Sequence, residues 1–230
     1  MTLTPLQALA RATSALVSRH DVTDALATLL GDAQESLSAA AAGMLVATPS
    51  GELEVLAATS HQALDLELYQ AQEQHGPCAD AVNGNATVLQ DDGPDLEERW
   101  PDLAPKMHAA GYRAVQAHPL RWHGQAIGAI NLFHHKSHLT ADDVTLGQAF
   151  ADIATLLLIT PNELGMSEVT ARTEAALAGR TIIEQAKGVL AHQNTITVEH
   201  AYTMLIQLAR MQGTSLTDTA TGIVRNAYQT

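Results

Sequence analysis

The 230-residue sequence predicts an α+β domain, an antiparallel sheet flanked by helices, followed by an all-α bundle of three helices. Three observations predict it. Within residues 1–160 apolar residues recur at helical spacing, switch to a period of two, and switch back several times; beyond residue 166 the two-residue period does not return. The strand runs come as neighbours joined by turn signals, which favours antiparallel pairing. Charge divides the chain at the same place. From Ser167 onward there are five basic and five acidic residues, so of 12 Lys and Arg and 25 Asp and Glu, seven and twenty precede it. The whole acidic excess lies in the first part.

The elements follow in order. Residues 3–38 carry two apolar stripes at helical spacing, Leu6, Leu9, Ala10, Thr13, Leu16 and Val17, then Val22, Leu26, Leu29, Leu30 and Ala33, with Ser18 or Asp21 as cap of the second. "GMLVAT" and "LEVLAATS" alternate on either side of "PSGE", a hairpin signature. Residues 63–75 return to helix, "HGPCADAVNGN" has turn signals at both ends, "ATVLQ" is a short strand, and "DDGPDLEERWPDL" reads as a solvated acidic loop. "APKMHAAG" is a short helix that Gly111 stops. "YRAVQAHPLRWHGQAIGAINLFHH" alternates as two strands joined near "WHGQ". "LTADDVTLGQAFADIATLLLI" is a helix capped by Thr140, with Asp142 and Asp143 complementing its dipole and Pro161 ending it.

Three helices close the chain. The first spans 167–193, with Val169, Ala176, Leu177, Ile182, Ile183, Ala186, Val189 and Leu190 as its apolar residues. The second is capped by Thr197 and buries Ala201, Met204, Leu205 and Leu208. The third starts at Ser215, paired with Asp218 in the manner of a capping box, and turns Leu216, Ala220 and Ile223 inward. The domain limits expected are 1–160, a connector over 161–172, and 173–230.

Composition narrows the function classes. A hydrophobic content of 46% supports a real core, and aromatics at 3% leave Ala, Leu, Val and Ile to build it. No stretch approaches the roughly 18 apolar residues that a membrane span needs, no secretory leader is evident, and the single cysteine, Cys78, leaves no intrachain disulfide. The expectation is a cytoplasmic protein without a membrane partner. Phosphate-binding glycine loops, nucleophile elbows and zinc signatures are missing from the sequence, so the chain is read as no enzyme, with no cofactor and no metal. His134, His135 and His138, near Asp142 and Asp143, match no metal-ligand spacing and read as loop histidines. Cys78 has no basic neighbour in sequence to activate it, and reads as a small residue opening a short helix.

The string "RTIIEQAKGVLAHQNTITVEHAYTMLIQLARMQGTSLTDTATGIV" resembles an ANTAR domain, the three-helix RNA-binding module of bacterial transcription antiterminators. Upstream, "HGPCADAV", "RWPDLAPKMHAAGYRAVQAHPL", "GQAIGAINLF" and "DDVTLGQAFADIATLLL" are similar to a GAF domain of the kind fused to ANTAR in actinobacterial regulators. The resemblance implies a GAF-like sensor or dimerisation domain, with an unidentified small molecule as a possible ligand. It implies that the ANTAR bundle binds paired stem-loops in nascent mRNA, so that a terminator hairpin does not form; the zero local charge favours a homodimer, in which two bundles gain through effective concentration.

The residues suit that chemistry. Arg180, Glu184 and Lys187 lie at i, i+4 and i+7 and share a helix face, where Arg and Lys offer charge-assisted contacts to phosphate. Glu184 is expected to hold both. Gly188, a helix-interior glycine, either admits an RNA backbone or eases helix packing. Gln185 can bond a base edge; Tyr202 either stacks on a base or packs; Arg210 either meets a phosphate or complements the helix dipole. Thr203 and Met204 stand where many ANTAR sequences carry a further basic residue. With zero local net charge, a protein-docking module stays open as an alternative, as does DNA binding, although the last helix offers a major groove only Arg225. Dimer contacts are expected from the N-terminal helices, the helix at 140–158 and residues 167–178.

Overall fold

The computed structural model describes residues 4–17, 21–137, 139–159 and 166–228. Ser18, His138 and Pro161 lie outside them, and so do the side chains of Val169 and Ala176. The chain divides into two units, Met1–Asn162 and Glu163–Thr230.

In the first unit, alternation sorts each strand into two faces. On β1 (Ala41–Ala47), Ala42 and Met44 enter one core while Ala41 and Leu45 enter another. With β2 (Leu53–Ala58), β3 (Val88–Asp91), β4 (Ala114–Trp122) and β5 (Gln125–His134) it makes a five-stranded sheet in the order β2-β1-β5-β4-β3. Every pairing is antiparallel. The loop between β4 and β5 is His123 and Gly124, both left-handed, with φ of 48° and 80°, which matches the right-handed twist of a two-residue hairpin.

Helices cover both faces. On one side α1 (Pro5–Ala15), α2 (Val22–Ser36) and α7 (Ala141–Ile159) bury Leu26, Leu29, Leu30, Phe150 and Leu157 against Met44, Ile130 and Leu132. Asp21 caps α2 by accepting from the Asp24 amide, and Thr140 caps α7 through Asp143, whose carboxylate accepts in return from the Thr140 amide. On the other side lie α3 (His61–Glu73), α4 (Pro77–Gly84), α5 (Pro94–Arg99) and α6 (Ala104–Ala109), around Trp100, Tyr112 and Phe133.

The acidic stretch 91–103 is not a solvated loop. It forms α5, because Pro94 starts a turn that buries Leu96 and Trp100, while Asp95, Glu97, Glu98 and Asp102 stay exposed to solvent. Asp92 takes His108 at 2.6 Å and Arg113 at 3.2 Å, and Arg99 reaches Asp80 at 2.8 Å. His134 is not a loop residue either. It ends β5, buried, and its ring Nε2 lies 3.0 Å from the Gln116 amide nitrogen. His135 is exposed and meets the Gly111 carbonyl. Among the described residues no group of three or more His, Cys, Asp or Glu is placed to hold a metal, and no helix is long and apolar enough to cross a membrane.

The second unit consists of α8 (Met166–Asn194), α9 (Val198–Gln212) and α10 (Leu216–Ala227). Ala186, Leu190, Ala201, Leu205, Ala220 and Val224 form its core. Thr197 and Ser215 cap α9 and α10 through the His200 and Asp218 amides, and left-handed Gly213 ends α9. Leu177 departs from the expected apolar stripe and is 57% exposed. Three and seven residues before Arg180 and Glu184, it shares their outward face rather than that of Ala186.

Candidate nucleic-acid interface

Helix α8 turns by about 100° per residue, which sets Arg180, Ile183, Glu184 and Lys187 along one flank of its buried stripe. Tyr202 of α9 and Thr217 of α10 complete a groove of about 440 Å³ there, with Gly179 at its end. Lys187 is the sheltered member. Its ammonium donates to both Glu184 carboxylate oxygens, at 3.0 and 2.8 Å, and lies 5.3 Å from the centre of the Tyr202 ring. Its side chain is 17% exposed, against 55% for Glu184. The Tyr202 residue stays 41% exposed, so it neither packs wholly into the core nor stands free.

Glu184 therefore does not hold both cations. It pairs with Lys187, whose ammonium lies over Tyr202, and Arg180 has no ion pair among the described residues. Gln185 and Arg210 are exposed but do not line the groove. Gln185 follows Glu184 by one step and faces away from it, and Arg210 sits about two turns beyond Tyr202, in the last turn of α9. Gly188 is exposed, and a Cβ added there meets nothing within 4 Å, so it does not ease helix packing. The glycine near a helix crossing is Gly179, where a Cβ would lie 3.4 Å from the Thr217 hydroxyl. Gly179 and Thr217 were not singled out from sequence, and Ile183 was read there only as an apolar residue of the helix. Only the crossing of α10 over α8 brings Thr217 to the groove, and no spacing within either helix reports that.

These geometries sit within regions that match two family models: a GAF domain over residues 19–158 and an ANTAR domain over residues 171–224. The chain belongs to the GAF domain family. It carries an ANTAR domain behind that unit. Among solved structures, the GAF domain from a phosphoenolpyruvate-protein phosphotransferase of Coxiella burnetii is similar at 16% identity and a TM-score of 0.53, over 75% of this chain and 97% of that one. A domain of a two-component sensor histidine kinase protein from Sinorhizobium meliloti matches at 16% identity and a TM-score of 0.50, over 60% and 91%. The phycoerythrobilin-bound GAF domain of a cyanobacterial phytochrome matches at 15% identity and 0.50, over 69% and 95%. At these identities the likeness is one of fold. No curated protein matches the sequence.

The GAF unit holds a buried polar cluster that sequence reasoning missed. Between the sheet and α3–α4, the fully buried Glu67 carboxyl takes hydrogen bonds from the Asn131 amide at 2.8 Å and the Gln70 amide at 3.2 Å. Gln70 in turn accepts from the Cys78 backbone amide at 2.9 Å. Gly43 of β1 permits this, since a Cβ there would overlap the carboxyl. Burial pushes the Glu67 pKa up to about 8, against the smaller opposing pull of Asn131 and Cys78. Burial likewise pushes the Cys78 thiol up, with the Glu67 charge acting in the same sense. Cys78 is the second residue of α4, as expected, and is inert in this setting. A signal existed: Glu67 follows Ala63 by four residues on the stripe that also buries Leu66 and Gln70.

On the opposite face of the sheet, Gln116 lies between two buried histidines, with its amide nitrogen 3.0 Å from His134 Nε2 and its oxygen 2.8 Å from His118 Nε2. Gly147 of α7 admits the His118 ring, which a Cβ would overlap. Burial lowers the His118 pKa to about 4.

Proposed function

We propose that the chain is an RNA-binding regulator of transcription antitermination, in which the ANTAR unit binds stem-loops in nascent mRNA and the GAF unit senses a small ligand or dimerises. It acts by binding rather than by catalysis, in the cytoplasm where transcripts emerge. The observation that carries the reading is the convergence of Arg180, Lys187 and Tyr202 on one groove within the ANTAR-matching residues. Those groups suit an RNA loop. A guanidinium meets phosphate or base edges in a bidentate fashion, and an exposed phenol ring offers a surface to an unstacked base. ANTAR domains are known in RNA-binding antitermination regulators, and GAF domains sense ligands, which supports both halves of the reading.

The balance of five basic and five acidic residues from Ser167 onward implies modest affinity for a single bundle. Two bundles held in one dimer and offered two stem-loops gain through effective concentration. Fluorescence anisotropy with a paired-hairpin RNA, a scrambled single strand and duplex DNA of equal length tests the reading. Preference for the hairpins, with affinity falling as salt rises, is the expected result; equal or absent binding to all three rejects it in favour of a protein-docking role.

A further inference from the structure

Lys187 already has an anionic partner before any RNA arrives. Both oxygens of Glu184 accept from its ammonium, at 3.0 and 2.8 Å, and the cation is the sheltered partner while the acid is the wet one. A second carboxylate feels the same cation. Glu199, in the first turn of α9, is held below the usual carboxylate range by its own backbone amide and the Thr197 hydroxyl, then by the charges of His200 and Lys187. That ammonium also lies over one face of the Tyr202 ring, 5.3 Å from its centre. Arg180, four residues before Glu184 on the same flank, has no such partner among the described residues.

We infer that Glu184 is a built-in competitor of the nucleic acid: it holds Lys187 over Tyr202 in the free bundle, and a phosphate of a folded RNA loop must displace it to claim the lysine. The inference rests on the RNA reading above. Two consequences follow from charge exchange. When Lys187 passes from Glu184 to a phosphate, the RNA releases a counterion and the freed carboxylate recruits one. The lysine then contributes affinity with little salt dependence, and Arg180 carries most of the salt slope. An acidic protein surface gains nothing by replacing one carboxylate with another, so the pair also selects against such partners.

The test is Glu184→Gln in the full chain, with helicity checked by circular dichroism; the position is on the surface, so folding is retained. Hairpin RNA should bind two- to fivefold tighter than to wild type in low salt, and the plot of log K against log[salt] should steepen by up to about one unit of slope. Lys187→Ala should cost more in the Glu184→Gln background than in the wild-type background, because only there is the lysine uncommitted. Unchanged or weaker binding by Glu184→Gln, while the wild type still prefers hairpins, overturns the competitor role and leaves the RNA reading standing. Absence of hairpin preference in the wild type overturns both.

Discussion

Glu67→Gln is expected to remove a pH dependence of several kcal/mol from the GAF unit. The carboxyl has a folded pKa of about 8 against an ordinary 4.5, a difference of about 3.5 units. At about 1.36 kcal/mol per unit this is about 5 kcal/mol between the two limits. Because the folded pKa is the higher one, the folded state binds more protons between pH 4.5 and 8. The contribution is therefore complete below the lower value and lost progressively as pH rises through the upper one, with about 3 kcal/mol gone at pH 7. Glutamine keeps the shape without the titration. With the Asn131 amide turned over, its oxygen accepts from the new amide, while the new oxygen keeps the Gln70 bond. Urea unfolding, followed through the buried Trp100, measures both proteins from pH 5 to 9. The gap between variant and wild type should widen with pH and level off above about pH 8. Parallel curves would refute the assignment of a neutral carboxyl in this core.

The opposite sign applies at His118, whose folded pKa of about 4 lies below the ordinary 6.5. Stability should fall by about 3 kcal/mol as pH drops from 6.5 to 4, and an NMR titration should find this imidazole neutral until about pH 4; protonation near pH 6.5 would contradict the burial that holds its pKa down. Gly188→Ala should raise the thermal stability of the ANTAR unit by about 0.5–1 kcal/mol, since the position is helical and open. The same variant should weaken hairpin binding if the missing side chain admits an RNA backbone. A stabilised variant with unchanged affinity would leave Gly188 without a role in the interface.

Much of this architecture was legible because local chemistry and tertiary structure agree. Thr140, Thr197 and Ser215 cap their helices as their spacing to Asp143, His200 and Asp218 allows, and the "HG" pair turns β4 into β5. The stretch around Pro94 misled because a six-residue helix shows no full hydrophobic period, and what holds it is the burial of Trp100 against a distant core. The candidate site was half legible. Arg180, Glu184 and Lys187 declare a shared face by spacing alone. That Glu184 takes Lys187, which also lies over Tyr202 of another helix, and that Arg210 stands clear of the groove are not given by spacing within α8 or α9. Glu67 lies on the buried stripe of α3, but the room for its carboxyl comes from the missing side chain of Gly43 on β1, which no spacing within α3 reports.

The central claim is that the ANTAR groove grips RNA through cations on α8, with Arg180 as the uncommitted one. The most direct measurement is the salt dependence of hairpin binding by Arg180→Ala beside the wild type. Loss of a charge-assisted contact of about 1.5–3 kcal/mol predicts binding roughly tenfold weaker or more, with the salt slope shallower by about one. Equal affinity and equal slope in the two proteins would contradict the account.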